Sequence, residues 1–222
     1  MTFDITSVSR ESLPYRNLVL TGFLGVGKST VGRTIARMVG VEMYDIDEEI
    51  ELREVMAIIK IRELYGDARL RALEHEYSRR AALMRQAVII ASGTCLLDPR
   101  NYRLFSETGQ IVVLTCELGE ALRRLHLSGE QRFRDPRIRE QMLARLRREY
   151  AIVNDGELLQ MDTTHLTVEE ESRLLIKLWA AGEPEGGYFR LGPPPPLKPP
   201  QKPIAGLSDR GPVSRQTPPQ PQ

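Results

Sequence analysis

Residues Gly22–Thr30 read Gly-Phe-Leu-Gly-Val-Gly-Lys-Ser-Thr and match the phosphate-binding pattern G-x-x-x-x-G-K-[ST]. A short apolar run, Asn17–Thr21, precedes the pattern, and a helical pattern, Val31–Val39, follows it. Strand, glycine loop and helix in this order form the context in which the pattern binds phosphate. The segment therefore constrains the chain to an α/β fold and predicts that it binds a nucleoside triphosphate.

Each residue type in this loop has a physical role in phosphate binding. The glycines Gly22, Gly25 and Gly27 leave room for backbone N–H groups to converge on phosphate oxygens. Lys28 supplies a mobile charge for the β- and γ-phosphates, and the Ser29 hydroxyl is placed to ligate Mg²⁺. The predicted set for binding ATP with Mg²⁺ is Gly22, Gly25, Val26, Gly27, Lys28, Ser29 and Thr30.

Composition divides the chain into three parts. Residues 1–16 are predicted to be a loose lead-in, and residues 17–182 are long enough for one ordinary domain. Twelve of the 15 prolines lie between Pro184 and Pro221, where apolar residues are too sparse to build a core. Residues 183–222 are therefore predicted to be a disordered, proline-rich tail. Its expected role is a solvated appendage, with a docking peptide for a proline-reading partner as the alternative.

Apolar runs alternate with amphipathic stretches through the domain. Strands are predicted at 17–21, 41–45, 87–92, 110–116 and 158–162. Helices are predicted at 28–39, 47–64, 68–85, 99–106, 117–127, 137–151 and 167–181. The alternation predicts a three-layer α/β/α domain with a five-stranded parallel sheet, which binds ligands at the carboxyl ends of its strands.

Charge, hydropathy and cysteine content disfavour several classes of partner. The net charge of +1 provides no global field for nucleic acid. No apolar run approaches the roughly 20 residues that span a membrane, and no secretory signal is visible. Cys95 and Cys116 lack metal-ligand spacing and are expected to be buried apolar residues. We expect a cytoplasmic monomer with a small-molecule substrate.

Two aspartates follow the second predicted strand. Asp45 and Asp47 have the spacing of alternate strand residues, so both side chains are able to project from one face. One interpretation is that they cap the next helix. Beside a phosphate loop, the other is that one carboxylate serves a nucleotide-bound Mg²⁺ and the other holds or deprotonates an acceptor hydroxyl. The residues alone leave both interpretations open.

Three segments together carry a resemblance to a known family. Gly22–Arg33 contains the GKSTxGR pattern, Asp45-Ile46-Asp47 matches a D-T-D motif, and Gly66–Glu74 is similar to G-E-x-x-F-R-x-x-E. With these motifs in register, residues 17–180 resemble shikimate kinase, a P-loop kinase of the nucleoside-monophosphate-kinase type. The resemblance implies a P-loop kinase fold and ATP-dependent phosphorylation of shikimate.

The resemblance also implies roles for individual residues. Asp45, together with Ser29, would serve Mg²⁺, and Asp47 would hold the substrate hydroxyls and act as the base. Arg71 would grip the shikimate carboxylate, and Glu74 would support it.

The strand-end and lid segments of the family match only in part. Three successive glycines are expected after the third strand, and only Gly93 remains, between Ser92 and Thr94. These two side chains are expected to narrow the pocket or offer new hydroxyl contacts. The segment that corresponds to the family's lid contains Arg132 and Arg134, and either of them could reach the transferring phosphoryl group. The alternative is that this segment is a solvated surface turn.

A later substrate arginine is also missing from its expected place. In the family it stands four residues before a tyrosine, and counting back from Tyr150 gives Leu146, on an apolar helical stripe. Arg145 and Arg147 are predicted to point elsewhere, about 100° of helical rotation to either side. One half of a two-arginine carboxylate clamp is therefore expected to be absent. Residues 55–60 also lack a glycine that the family has there.

These observations favour an ATP-dependent small-molecule kinase, with shikimate as the first candidate acceptor. One alternative is a related kinase with a different acceptor. A second is a non-catalytic, regulatory nucleotide-binding protein that uses its proline-rich tail for partners. Nucleic-acid binding rests only on the seven arginines between Arg132 and Arg148, and few aromatic residues interleave them.

Overall fold

Five apolar segments form a parallel β-sheet at the centre of the molecule. The structure is a computed structural model and describes residues 10–127, 136–154, 158–182 and 190–191. The strands are β1 (Asn17–Gly22), β2 (Met43–Asp45), β3 (Val88–Ile90), β4 (Gly109–Thr115) and β5 (Leu159–Asp162), in the order β2-β3-β1-β4-β5. The five predicted strands and the α/β class are confirmed.

Strand β1 lies at the centre because it is apolar on both faces. Leu18 pairs with Val88 of β3 on one side and with Gln110 of β4 on the other. All six residues of β1 are buried, as expected for a parallel sheet that helices cover on both faces. The carboxyl end of β1 therefore delivers Gly22 and the phosphate loop to the middle of the sheet edge.

Eight α-helices are present in the described residues. They are α1 (Lys28–Val39), α2 (Ile46–Glu54), α3 (Ile58–Ala81), α4 (Gly93–Leu96), α5 (Pro99–Thr108), α6 (Leu118–Leu127), α7 (Pro136–Glu149) and α8 (Val168–Ala181). The helix predicted at 47–64 is divided into α2 and α3, because Val55 ends α2 with a left-handed φ of 51°. Gly66, at φ 79° and ψ 172°, interrupts α3 and marks the predicted break between two helices. No helix among the described residues is long and apolar enough to cross a membrane.

The two ends of the chain contribute more structure than composition predicts. In the predicted lead-in, Leu13 is buried and Arg16 donates hydrogen bonds to the carbonyls of Ser106 and Gly109, at 2.6 and 3.0 Å. In the predicted tail, a two-residue strand β6 (Arg190–Leu191) pairs in parallel with β5. The other residues of the tail, 183–189 and 192–222, and residues 1–9 lie outside the described residues.

Candidate active site

The phosphate loop joins the buried end of β1 to the first turn of α1. Gly22 has φ 139°, and a Cβ built there would lie 2.3 Å from the Leu114 carbonyl oxygen, so only glycine fits. Gly27, at φ 101°, adopts the left-handed conformation directly before α1. The loop therefore places the N-terminus of α1, with its free N–H groups and positive dipole, at the sheet edge.

Lys28 closes the loop through its side chain. Its ammonium donates to the carbonyl oxygens of Gly22 and Phe23, at 3.0 and 3.1 Å. Burial lowers the pKa of Lys28, and the carboxylate of Glu149 raises it in opposition. The half-buried ammonium thus points back over the loop that it follows.

Asp45 connects the second strand to the phosphate loop. One of its oxygens accepts a hydrogen bond from the Ser29 hydroxyl at 2.6 Å, and the other accepts from the backbone N–H groups of Asp47 and Glu48. Asp45 therefore caps α2, as one interpretation predicted, and it also contacts the phosphate loop, whereas its role toward Mg²⁺ stays a prediction. Burial, with the charge of Asp47, raises the pKa of Asp45 to about 6.

The oxygens of Ser29 and Asp45 have the chemistry of a magnesium site. Hydroxyl and carboxylate oxygens are hard ligands, and Mg²⁺ in kinases takes few of them because phosphates and water supply the rest. Within the described parts of the chain, no group of three or more His, Cys, Asp or Glu side chains is placed to hold a metal ion. The hydroxyl of Ser29 and the carboxylate of Asp45 are the two oxygens here that could contribute to such a site.

Arg145 lies beside Asp47, which corrects the expectation that it points away from the site. Its Nη2 donates to the Asp47 carboxylate, and its Nε donates to Oε1 of Glu149 at 2.6 Å. Burial lowers the pKa of Arg145, but the carboxylates of Asp47 and Glu149 outweigh burial and raise it. Leu146 is buried, as the apolar stripe predicted. Rotation of about 100° along α7 thus turns Arg145 into the site and Leu146 into the core.

A small cavity lies between the phosphate loop, α2, α3 and α7. Its volume is about 220 Å³. Polar side chains from four elements converge on it, among them Lys28, Ser29, Asp45, Asp47 and Arg145. Ala57, Ile58, Ile59 and Met142 provide apolar walls.

A larger cavity of about 720 Å³ lies on the other side of Lys28 and Ser29. The phosphate loop, α6 and the start of α8 line it. Arg124 of α6 joins these elements, since it donates to the carbonyls of Val26 and Thr163, at 3.0 and 2.7 Å. The motif at Gly22–Thr30 did not single out Arg124, which lies about a hundred residues later in the chain and becomes a neighbour only through folding.

Other predicted site residues lie away from both cavities or outside the description. Arg71 is exposed on α3 and lines neither cavity, whereas Glu74, three residues later, is buried. Gly93 is buried but does not line either cavity. Arg132 and Arg134 lie outside the described residues.

Comparison with known proteins establishes the family. A family model described as shikimate kinase matches residues 24–178. The shikimate kinase of Geobacter metallireducens is 34% identical over 166 residues, which is 74% of this chain and 92% of that relative. The chain belongs to the shikimate kinase family. Members of this family are ATP-dependent small-molecule kinases, and a nucleotide is therefore one substrate.

Further comparisons agree with this assignment. The shikimate kinase of Geobacter sulfurreducens is 43% identical over 110 residues, which is 50% of this chain and 61% of that relative. A shikimate kinase from Acinetobacter baumannii in complex with shikimate has a TM-score of 0.63 at 20% identity, covering 76% of this chain and 94% of its own. The enzyme from Bacteroides thetaiotaomicron also gives 0.63, at 23% identity, covering 74% and 98%. These structures confirm the P-loop kinase fold.

The strand-end segment that departs from the shikimate kinase pattern folds as a short helix. Ser92 caps α4, accepting a hydrogen bond from the Cys95 N–H at 3.1 Å, and its hydroxyl lies 3.2 Å from that of Thr94. Thr94 lies within α4 and has a negative φ. Gly93 packs against the end of α7, where a Cβ would lie 2.6 Å from the Glu149 carbonyl oxygen. Helix α4 was not predicted, because its capping pattern spans only a few residues.

Replacing Gly93 with alanine is expected to destabilise the protein by about 1–3 kcal/mol, because the new Cβ collides with backbone that has little freedom to move. Urea denaturation measures the change. Gly119→Ala is the matched control, since nothing lies within 4 Å of a Cβ there and alanine favours the helix. Equal stability of the two variants would contradict the packing argument.

Replacing Glu74 with glutamine is expected to stabilise the protein more at pH 8 than at pH 5. Burial raises the pKa of Glu74 from 4.5 to about 8, so the unfolded chain releases a proton that the folded protein retains between those values. Glu74 therefore makes stability fall as pH rises through this window, by on the order of a few kcal/mol at most. Glutamine removes this contribution.

The measurement is urea denaturation of wild type and variant at both pH values. Glu76→Gln is the control, because Glu76 lies on the same helix, is exposed and pairs with Arg80. A stability difference between wild type and Glu74→Gln that is the same at pH 5 and pH 8 would show that Glu74 is ionised in the folded protein.

Proposed function

We propose that the protein transfers the γ-phosphoryl group of ATP to a hydroxyl of shikimate, giving shikimate 3-phosphate. This proposal rests on one observation, that the two cavities meet at Lys28 and Ser29. Both residues line both cavities. The larger cavity has the phosphate loop for a nucleotide, and the smaller has a carboxylate and a guanidinium for a hydroxy acid. A phosphoryl group transferred between them passes beside Lys28.

The nucleotide side of the reaction rests on Lys28 and the N-terminus of α1. In the proposed reaction, Lys28 exchanges its contacts with the loop carbonyls for contacts with the β- and γ-phosphate oxygens. Ser29 and Asp45 would hold Mg²⁺, which when bound neutralises charge on the phosphates. The backbone N–H groups of Gly25, Val26 and Gly27, with Thr30, complete the proposed phosphate cradle.

The acceptor side rests on Asp47 and Arg145. Oδ1 of Asp47 is buried and has no hydrogen-bond partner among the described residues, so it is available to receive the proton of an acceptor hydroxyl. Arg145 is a planar, permanently charged group within the same cavity, and it suits the carboxylate of shikimate.

Some site residues remain part of the proposal on the family resemblance alone. We propose that Arg132 or Arg134 reaches the transferring phosphoryl group from the segment between α6 and α7. We propose Arg71 and Gly93 as acceptor-site residues, also on the family resemblance alone. The contacts favour Arg145 over Arg71 as the first partner of the acceptor carboxylate, since Arg71 is exposed.

The test is ADP release by the purified full chain with ATP and Mg²⁺, in the presence and absence of shikimate. The expected result is shikimate-dependent ADP release, with the product identified as shikimate 3-phosphate by mass spectrometry. ATP binding without shikimate-dependent turnover would contradict the proposed acceptor.

A second candidate is a kinase that acts on another hydroxylated compound. The Ser92 hydroxyl lines the acceptor cavity where the family has glycine, and it offers an additional polar contact. A panel of hydroxy acids and sugars in the ADP-release assay separates the two candidates. Nucleotide binding without turnover on any of them would favour the non-catalytic, regulatory alternative.

We further propose that the enzyme is a monomer. We also propose that it acts in the cytoplasm, where ATP and small hydrophilic acids are available. Apart from Arg190–Leu191, which pair with β5, residues 183–222 serve in this proposal as a solvated appendage or as a docking peptide for a proline-reading partner. Light scattering of the full chain and of a chain ending at residue 182 tests the monomeric state.

A further inference from the structure

The end of α7 carries two charged side chains one helical turn apart. Arg145 donates its Nε–H to Oε1 of Glu149 at 2.6 Å and donates from Nη2 to Asp47. The guanidinium is therefore shared between two carboxylates through different N–H groups. One carboxylate, Asp47, lines the acceptor cavity, whereas Glu149 does not.

Glu149 is unfavourable for the free energy of folding in this position. Its side chain is completely buried, and its Oε2 has no hydrogen-bond partner among the described residues. A buried carboxylate with an unsatisfied oxygen costs folding free energy that an apolar residue would not. Packing at the end of α7 therefore does not explain the carboxylate. Its charge acts on two cations, through the hydrogen bond from Arg145 and through an electrostatic effect that raises the pKa of Lys28, and only Arg145 is bonded to it directly among the described residues.

The backbone around Glu149 is held in place from the other side. Gly93 of α4 approaches so closely that a Cβ there would lie 2.6 Å from the Glu149 carbonyl oxygen. The carboxylate thus sits on a well-packed segment, and a group bound to it is positioned with similar precision.

We infer that Glu149 is a positioning residue that holds the Nε side of Arg145, so that the Nη groups stay in the acceptor cavity. This inference rests on the proposed function, in that the acceptor carries a carboxylate. A guanidinium has five N–H donors in a rigid plane, so fixing Nε fixes the direction of the remaining donors. The acceptor carboxylate then takes over Nη groups from Asp47, and Asp47 turns to the acceptor hydroxyl.

The test compares shikimate with shikimate carboxamide, which has the same ring hydroxyls but no carboxylate. In Glu149→Gln, the preference for shikimate over the carboxamide, measured as the ratio of their kcat/KM values, is expected to fall by about tenfold or more. Misplacement of a positioned group by ~1 Å has effects on this scale. The loss is expected mainly in KM for shikimate, with KM for ATP less affected.

Two variants make the result specific. Glu140→Gln is the matched control, because Glu140 lies on the same helix and is exposed. In an Arg145→Gln background, Glu149→Gln is expected to change the preference by less than about twofold, because the residue through which it acts is gone. If Glu149→Gln does not fold, Glu149→Asp replaces it, since aspartate keeps the charge but is one methylene too short to reach Nε of Arg145 from the same backbone position.

The inference is overturned if the preference is unchanged in Glu149→Gln, or if it falls equally with and without Arg145. A purely structural role of Glu149 would lower turnover of both acceptors by the same factor. If the wild type does not phosphorylate shikimate, the proposed function fails, and calorimetric titration of both compounds then decides the inference. If the wild type binds shikimate more tightly than the carboxamide and Glu149→Gln does not, the inference is supported. If the wild type binds both compounds equally well, the inference is overturned.

Discussion

Replacing Lys28 with alanine is expected to lower kcat by about 10³-fold, because a preorganised, desolvated donor to developing phosphoryl charge is worth this much in a closed site. The fold is expected to survive, since the two hydrogen bonds that Lys28 makes go to carbonyls of its own loop. ADP release at saturating shikimate measures the effect, and circular dichroism monitors the fold.

The matched control for this variant is Lys60→Ala. Lys60 is exposed on α3 and forms a surface ion pair with Glu63, at 2.7 Å. Its replacement is expected to leave kcat within about twofold, as surface ion pairs contribute little. Comparable losses in both variants would mean that ADP release does not depend on the phosphate loop.

Replacing Asp47 with asparagine is expected to lower kcat by about 10²- to 10⁴-fold, the range for loss of a positioned general base. KM for ATP is expected to change little, because Asp47 lines the acceptor cavity and not the nucleotide cavity. Single-turnover measurement of phosphoryl transfer separates this chemical step from product release.

Asp67→Asn is the control for the change of a carboxylate to an amide. Asp67 is an exposed residue of α3 that pairs with Arg62 at 2.7 Å. Near wild-type turnover of Asp47→Asn would assign the proton of the acceptor hydroxyl to another group, and Asp47 would then only hold the acceptor.

Local patterns were enough to predict most of the secondary structure. Helix α1 begins and ends where the sequence predicts, since Gly27 precedes it, Gly40 follows it and both have positive φ. The continuous apolar runs Val88–Ala91 and Ile111–Leu114, which form most of β3 and β4, predicted a sheet buried on both faces. These signals are local, because backbone conformation at glycine and burial of an apolar run depend on few neighbours.

Arg145 shows where local reasoning failed. The family register placed the acceptor arginine at Leu146, four residues before Tyr150, and helical rotation then predicted that Arg145 pointed away. The structure turns α7 so that Leu146 packs in the core and Arg145 meets Asp47, 98 residues away in the chain. The rotation of a helix about its axis depends on the surface it packs against, and no local pattern specifies that surface.

The order of residues alone therefore decided the fold class, the phosphate loop and the aspartate pair, since each depends on short spacings that backbone geometry translates directly. Tertiary packing decided the acceptor side of the site. It brought Arg145 to Asp47 and Gly93 against the end of α7. These contacts join elements far apart in the chain, and they arise only when the helices settle on the sheet and bury their apolar faces together.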